Sequence, residues 1–151
     1  AEEALALADR IALMSEGRII QAGAPDELYL KPSSLAAARL LGDVEAFDAT
    51  VHAEAADTPL GKVTAAGFGE GAAVQVLLRP EGVLVGKSAE DGALADVVER
   101  RAVAGYARLT CRLDAGRTVQ ARAGLADTIR PGDAVRLRLD PHFASVVSRE
   151  T

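Results

Sequence analysis

Tryptophan is absent, and three Phe and two Tyr are all the aromatic residues that 151 positions hold. The core must therefore be aliphatic. A nucleic-acid groove, which stacks several rings along a basic track, is not expected from Phe47, Phe68, Tyr106 and Phe143 in a chain of net charge −5. Cysteine is almost missing too: the lone Cys111 cannot form an internal disulfide, which suits a reducing compartment. No apolar run approaches the roughly 18–20 residues that carry a helix across a bilayer. The opening "AEEALALADR" has no basic n-region and does not read as a signal peptide, so the cytoplasm is the expected compartment.

What is present is ample for a core: 49% of residues are hydrophobic, and 26% charged residues argue against disorder. The charge is unevenly spread. Residues 1–96 carry −9 and residues 97–151 carry +4, and all ten basic residues of the second stretch are Arg. Such a run usually marks solvated strand faces. The sharper reading is a surface for an anion or acidic partner, because the guanidinium fork matches carboxylate and phosphate.

Two patterns divide the chain. In the first, "EEALALAD" has helical spacing with acids in its first turn, and "RIALMSE" and "RIIQAG" read as a hairpin turning at Gly17. Pro25 opens a second helix, "PDELYL", which must stop before Pro32. Ser33 or Ser34 can cap a third, "LAAARLLG", closed by Gly42. From about Glu45 the period becomes two. "FDATVHA", "GKVTAA", "AAVQVLLRP", "GVLVG", "ALADVVERRAV", "YARLTCRLD", "TVQARAG", "DAVRLRLDP" and "FASVVS" alternate with turn residues. Alternation sets Leu109, Cys111 and Leu113 against Arg108, Thr110 and Arg112, and Val135, Leu137 and Leu139 against Arg136 and Arg138. The expectation is a mainly β chain with an N-terminal helical and hairpin piece: residues 1–44, then a small antiparallel OB-like barrel or sandwich over residues 45–151.

Catalytic patterns fail on inspection. "GVLVGKS", Gly82 to Ser88, has three residues between its glycines where a phosphate loop has four, and Val-Leu-Val is a strand rather than a cradle. "GFGEG" leads into a strand and reads as a hairpin loop. His52, with Glu54 and Asp48 nearby, and His142 lack the three or four convergent ligands of a zinc site. Cys111 falls on an apolar face with no base in sight. Glu90-Asp91 reads as a solvated loop pair, and Asp140-Pro141 as a turn. In Arg79-Pro80-Glu81, Pro80 ends a strand, and the two charged residues are expected to fix the corner by local ionic or hydrogen bonds.

The opening stretch "EEALALADRIALMSEGRIIQAGAPDELYLKP" resembles the end of the ATPase domain in the ATP-binding subunits of ABC importers. The resemblance rests on Glu2-Glu3-Ala4, Leu7 to Ile11, Gly17-Arg18, Gly23, Pro25, Glu27, Tyr29 and Pro32. "LRPEGV", "AVAGYARLTCRL" and "GDAVRLRLDPHFASVV" resemble, in order, elements of the transport-associated OB-type domain appended to many such subunits. This likeness implies that residues 1–44 are the tail of an ATPase domain, with the family's phosphate loop and switch histidine lying outside the chain. The strands of "RIALMSEGRIIQAG" are then orphans of a larger sheet and are expected to drive self-association into a dimer. The likeness also implies ATP and Mg in the parent protein but no cofactor, metal or catalytic residue in this stretch. It implies permease subunits as partners, placing the parent at the inner face of a membrane, with ferric iron or a polyamine as cargo. Arg79, Glu81, Arg108, Arg112, Arg136 and Arg138 are the candidate residues for an accessory ligand or partner surface. Two other readings remain open. One is a free-standing oxyanion-binding barrel using Arg108, Arg112, Arg136 and Arg138; the other is single-stranded nucleic-acid binding by the Arg-rich strands.

Overall fold

The computed structural model describes residues 2–86 and 91–149. Lys87, Ser88 and Glu90, from two of the loop motifs above, lie outside them. The first segment runs α1 (Glu2–Leu7), β1 (Ile11–Ser15), β2 (Arg18–Gly23), α2 (Pro25–Leu30) and α3 (Leu35–Leu41). Pro25 occupies the first turn of α2 with Asp26 and Glu27 behind it, and the Ser34 hydroxyl accepts the Ala37 N–H at 3.1 Å to cap α3. Strands β1 and β2 turn through Glu16 and Gly17, both at positive φ, and form a two-stranded antiparallel sheet among the described residues. Their inner face supplies Leu13, which packs with Leu28, Ala37 and Leu41 in a small cluster. The Gln21 amide ties this hairpin to the α2–α3 link, donating to the Lys31 carbonyl and accepting from the Ser33 N–H.

Ten strands follow: β3 (Glu45–His52), β4 (Ala55–Thr58), β5 (Gly61–Thr64), β6 (Ala73–Leu78), β7 (Val83–Gly86), β8 (Ala93–Val103), β9 (Tyr106–Leu113), β10 (Thr118–Ala123), β11 (Ala134–Leu139) and β12 (Ala144–Ser148). They form two antiparallel five-stranded sheets, ordered β12-β6-β3-β4-β5 and β10-β9-β8-β11-β7. The result is an OB-like half-barrel, as the alternation predicts. One core joins both sheets, with Phe47, Val51 and Val76 meeting Val97, Leu109 and Leu137. Cys111 lies inside it, and burial pushes its thiol pKa up to about 11, so it behaves as a small apolar side chain.

Two short 3₁₀ turns, Pro80–Gly82 and Pro141–Phe143, close one end of the half-barrel. They press together so tightly that a Cβ on Gly82 would stand 2.6 Å from the Phe143 Cβ and 2.9 Å from Leu78 Cδ1. The two segments of the chain meet at this end. Ala38 of α3 is buried against Leu77 and Val147, flanked by Leu35, Val44 and Ala46.

Candidate functional site

Arg79 leaves β6 just before Pro80, where the missing amide hydrogen and fixed φ end the strand. Its side chain does not stay at the corner. It is 2% exposed and runs into the first segment. Nε donates to the Tyr29 carbonyl at 3.1 Å, and Nη1 donates to the carbonyls of Ala38, Gly42 and Asp43 at 3.0, 3.2 and 3.0 Å. A helix ends with carbonyls that lack intrahelical donors and with a negative dipole end. Arg79 therefore caps α3 from a strand about forty residues away, and its guanidinium also lies 4.2 Å from the centre of the Tyr29 ring. Burial lowers its pKa, opposed by nearby Tyr29, Glu81 and Asp43.

Glu81 makes the second tie. It accepts the Tyr29 hydroxyl hydrogen and pairs with Arg122 at 3.2 Å. Burial first, and then the Glu81 carboxylate, push the Tyr29 pKa up to about 12. The sequence-based expectation of a purely local role for Arg79 and Glu81 is thus corrected: their side chains join the two segments. Nor is Arg79 available as a surface residue, because its guanidinium is buried under α2 and α3.

Arg108 stands beside this junction, pairing with Asp43 at 3.2 Å. Opposite it across β9 are Arg101 on β8 and Arg122 on β10. The Arg122 guanidinium rests 4.2 Å from the Tyr106 ring centre. Two cavities open along the junction. One, of about 380 Å³, is lined by Glu99, Arg101, Thr110 and Gln120; the other, of about 560 Å³, by Tyr29, Leu41, Tyr106 and Arg122. Both also touch Asp43, Pro80 and Arg108. Glu45 bounds the smaller one, but it is committed to the Gln120 N–H and to Arg117.

The remaining candidates lie elsewhere on the sheet. Arg112 is opposite Asp96 and Thr118, Arg136 donates to the Gly92 carbonyl at 3.3 Å, and Arg138 is exposed opposite Leu84. Arg79, Glu81 and Arg108 therefore gather at one junction while Arg112, Arg136 and Arg138 do not join it. Arg101, Arg122 and Asp43 were absent from the sequence-based set, since strand register brings the two arginines to Arg108 and only the packing of the link after α3 brings Asp43. His52 pairs with Glu70 rather than with Glu54 or Asp48, and His142 with Asp140. Among the described residues no group of three or more His, Cys, Asp or Glu is placed to hold a metal ion. No helix there is long and apolar enough to cross a membrane.

Comparison with known proteins adds a family. The TOBE domain family matches residues 76–147, a stretch that begins within β6 and contains Arg79, Glu81, Arg101, Arg108 and Arg122. Residues 76–147 are a TOBE domain. The match and the named relatives together support a place for this TOBE domain in the C-terminal region of an ABC importer ATP-binding subunit. The chain is 36% identical over 142 residues to Fe(3+) ions import ATP-binding protein FbpC 2 of Rhodococcus jostii, covering 91% of this chain and 41% of that protein. It is 34% identical over 165 residues to spermidine/putrescine import ATP-binding protein PotA of Methylococcus capsulatus, covering 99% of this chain and 43% of that protein. The chain thus spans about two fifths of the length of these relatives. A solved structure of the cytoplasmic molybdate-binding protein ModG with molybdate bound superposes with a TM-score of 0.56. The match covers 70% of this chain and 96% of that one at 16% identity, which is a shared fold.

Proposed function

We propose that this chain is the accessory C-terminal region of the ATP-hydrolysing subunit of an import system. Residues 1–44 are the tail of the ATPase domain, and residues 45–151 form the accessory domain that carries the TOBE match. The accessory domain helps hold two ATPase subunits together, or answers a regulatory ligand, while the parent couples ATP and Mg to uptake through membrane permease subunits. The parent sits on the cytoplasmic side of that membrane. Ferric iron or a polyamine is the favoured cargo, supported by the names of the relatives. Nucleotide chemistry belongs to the rest of the parent.

The observation that carries this reading is the buried tie of Arg79 and Glu81 to Tyr29 and the end of α3. A half-barrel fastened this way moves with the tail, so its state reaches the ATPase domain mechanically. The test uses the full-length ATP-binding subunit. Removal of residues 45–151, or the paired change Arg79→Ala and Glu81→Gln, is expected to weaken nucleotide-free pairing in sedimentation and to alter transport-coupled turnover. Unchanged pairing and turnover in both variants would overturn the proposal.

The second reading is a small-oxyanion binding barrel, favoured by the fold shared with ModG and by the exposed arginines of the β8–β9–β10 face. Thermal shifts with molybdate, sulfate and phosphate, set against the pairing experiment, separate the two.

A further inference from the structure

Three arginines form one cross-strand row on the outer face of the sheet: Arg101 opposite Arg108, and Arg108 opposite Arg122. Like charges directly opposite in an antiparallel pair repel and cost stability. The repulsion is only loosely offset. Arg101 meets Glu99 at 3.3 Å, Arg108 meets Asp43 at 3.2 Å, and Arg122 meets Glu81 at 3.2 Å, each through Nη2 alone. A strong charge-assisted contact is nearer ~2.7–2.9 Å and, for arginine, often two-pronged. Beyond these contacts no side-chain hydrogen bond of the three is seen among the described residues; Arg122 also lies over the Tyr106 ring, and each of the three lines at least one of the two cavities.

We propose that this row is a binding site for a small di- or tricarboxylate. Each guanidinium is already met by a carboxylate of the protein itself, so a carboxylate ligand replaces like with like. Two of those internal partners are easily displaced: the Asp43 and Glu99 side chains are 63% and 56% exposed. Glu81, 21% exposed and anchored by Tyr29, stays in place and leaves Arg122 to orient the ligand rather than release its partner. Neighbouring strands are roughly 4.8 Å apart, so the row offers guanidiniums at a pitch that suits several separate carboxylates better than one compact oxyanion. Thr110 and Gln120 also line the smaller cavity; they hydrogen-bond each other, and the Gln120 amide keeps a second N–H beyond the one it donates to the Thr110 hydroxyl. Asp43 is the lever. Its side chain holds Arg108 and its carbonyl holds Arg79, so a ligand that displaces the carboxylate acts next to the end of α3.

This inference rests on the ligand-responsive form of the function proposed above, and it fails separately from it. Calorimetric titration of the 151-residue chain with tricarballylate and succinate tests the site, whereas pairing of the full-length subunit tests the function. Tricarballylate is expected to bind saturably, weakening at least tenfold in Arg108→Gln and in Arg101→Gln. Affinity is expected to rise several-fold in Glu99→Gln, where the internal competitor is gone; a merely structural glutamate would not give that gain. No saturation by 10 mM, or equal affinity in wild type and Arg108→Gln, overturns the site. Tighter binding of phosphate, sulfate or molybdate overturns the ligand class. Tighter binding of a tetraglutamate peptide overturns the assignment to a small molecule.

Discussion

Arg79 caps a helix to which it is joined by no local sequence, and this makes its replacement informative. Alanine in its place leaves the carbonyls of Ala38, Gly42 and Asp43 short of a donor at a buried helix end. The expected loss is about 3 kcal/mol, since each hydrogen bond from a charged donor contributes ~1.5–3 kcal/mol and some carbonyls regain water. Arg79→Lys keeps the charge but not the planar fork, and is expected to recover less than half of that loss in urea unfolding. Tyr29 supplies a pH test. A pKa raised to about 12 means that the folded state holds the phenol proton more tightly than the unfolded chain does. The associated stability is present below the ordinary value near 10 and is lost as pH climbs from there towards about 12. In a Tyr106→Phe variant, Tyr29 is the sole tyrosine, and its absorbance at 295 nm is expected to rise with a midpoint near 12, together with loss of folded signal. A midpoint near 10 in the still-folded protein would contradict the Glu81 contact. At this scale the sequence pointed to Arg79 and Glu81 but not to their partners. Proline and charge chemistry are local, whereas contacts 36 to 52 residues apart need the fold.

Between the elements, legibility followed side-chain chemistry. The run "ALADVVERRAV" became β8 from end to end, and Pro25, Ser34 and Gly42 stand at helix boundaries as their capping chemistry requires. Strand β4 was missed, for two physical reasons. "AADT" has little of the β-branched or aromatic bulk that marks a strand. The turn before it also lacks the usual signal: Ala53 and Glu54 occupy positive φ values of 49° and 61°, a hairpin geometry that favours Asn-Gly. That mismatch yields a prediction. Replacing Ala53-Glu54 with Asn-Gly relieves two left-handed residues and is expected to stabilise the chain by about 1 kcal/mol, raising its melting temperature. The Ala53 N–H to Glu70 and the Ala65 N–H to residue 54 are backbone donors to retained acceptors, so neither is lost. A lower melting temperature would mean that the Ala-Glu side chains carry a role beyond the turn.

Across the whole molecule, the half-barrel holds the larger core, and the N-terminal hairpin is the part with an unused surface. A two-stranded sheet on its own is marginal in water, and this one is held by Leu13 and the Gln21 bonds on one side only. Its other side presents Met14 and Ile19, 58% and 64% exposed and directly paired in register. Such an apolar pair on an open-edged hairpin favours a second chain. Sedimentation is expected to show a monomer–dimer equilibrium that shifts with concentration. The discriminating variant is Met14→Lys with Ile19→Glu, which removes the apolar surface yet leaves opposite charges across the same pair, a combination that keeps the hairpin folded. It should sediment as a monomer with unchanged unfolding. Wild type remaining monomeric at high concentration would overturn self-association, whereas a variant that dimerises equally well would move the interface away from the hairpin and onto the half-barrel, where the arginine row is the next face to probe.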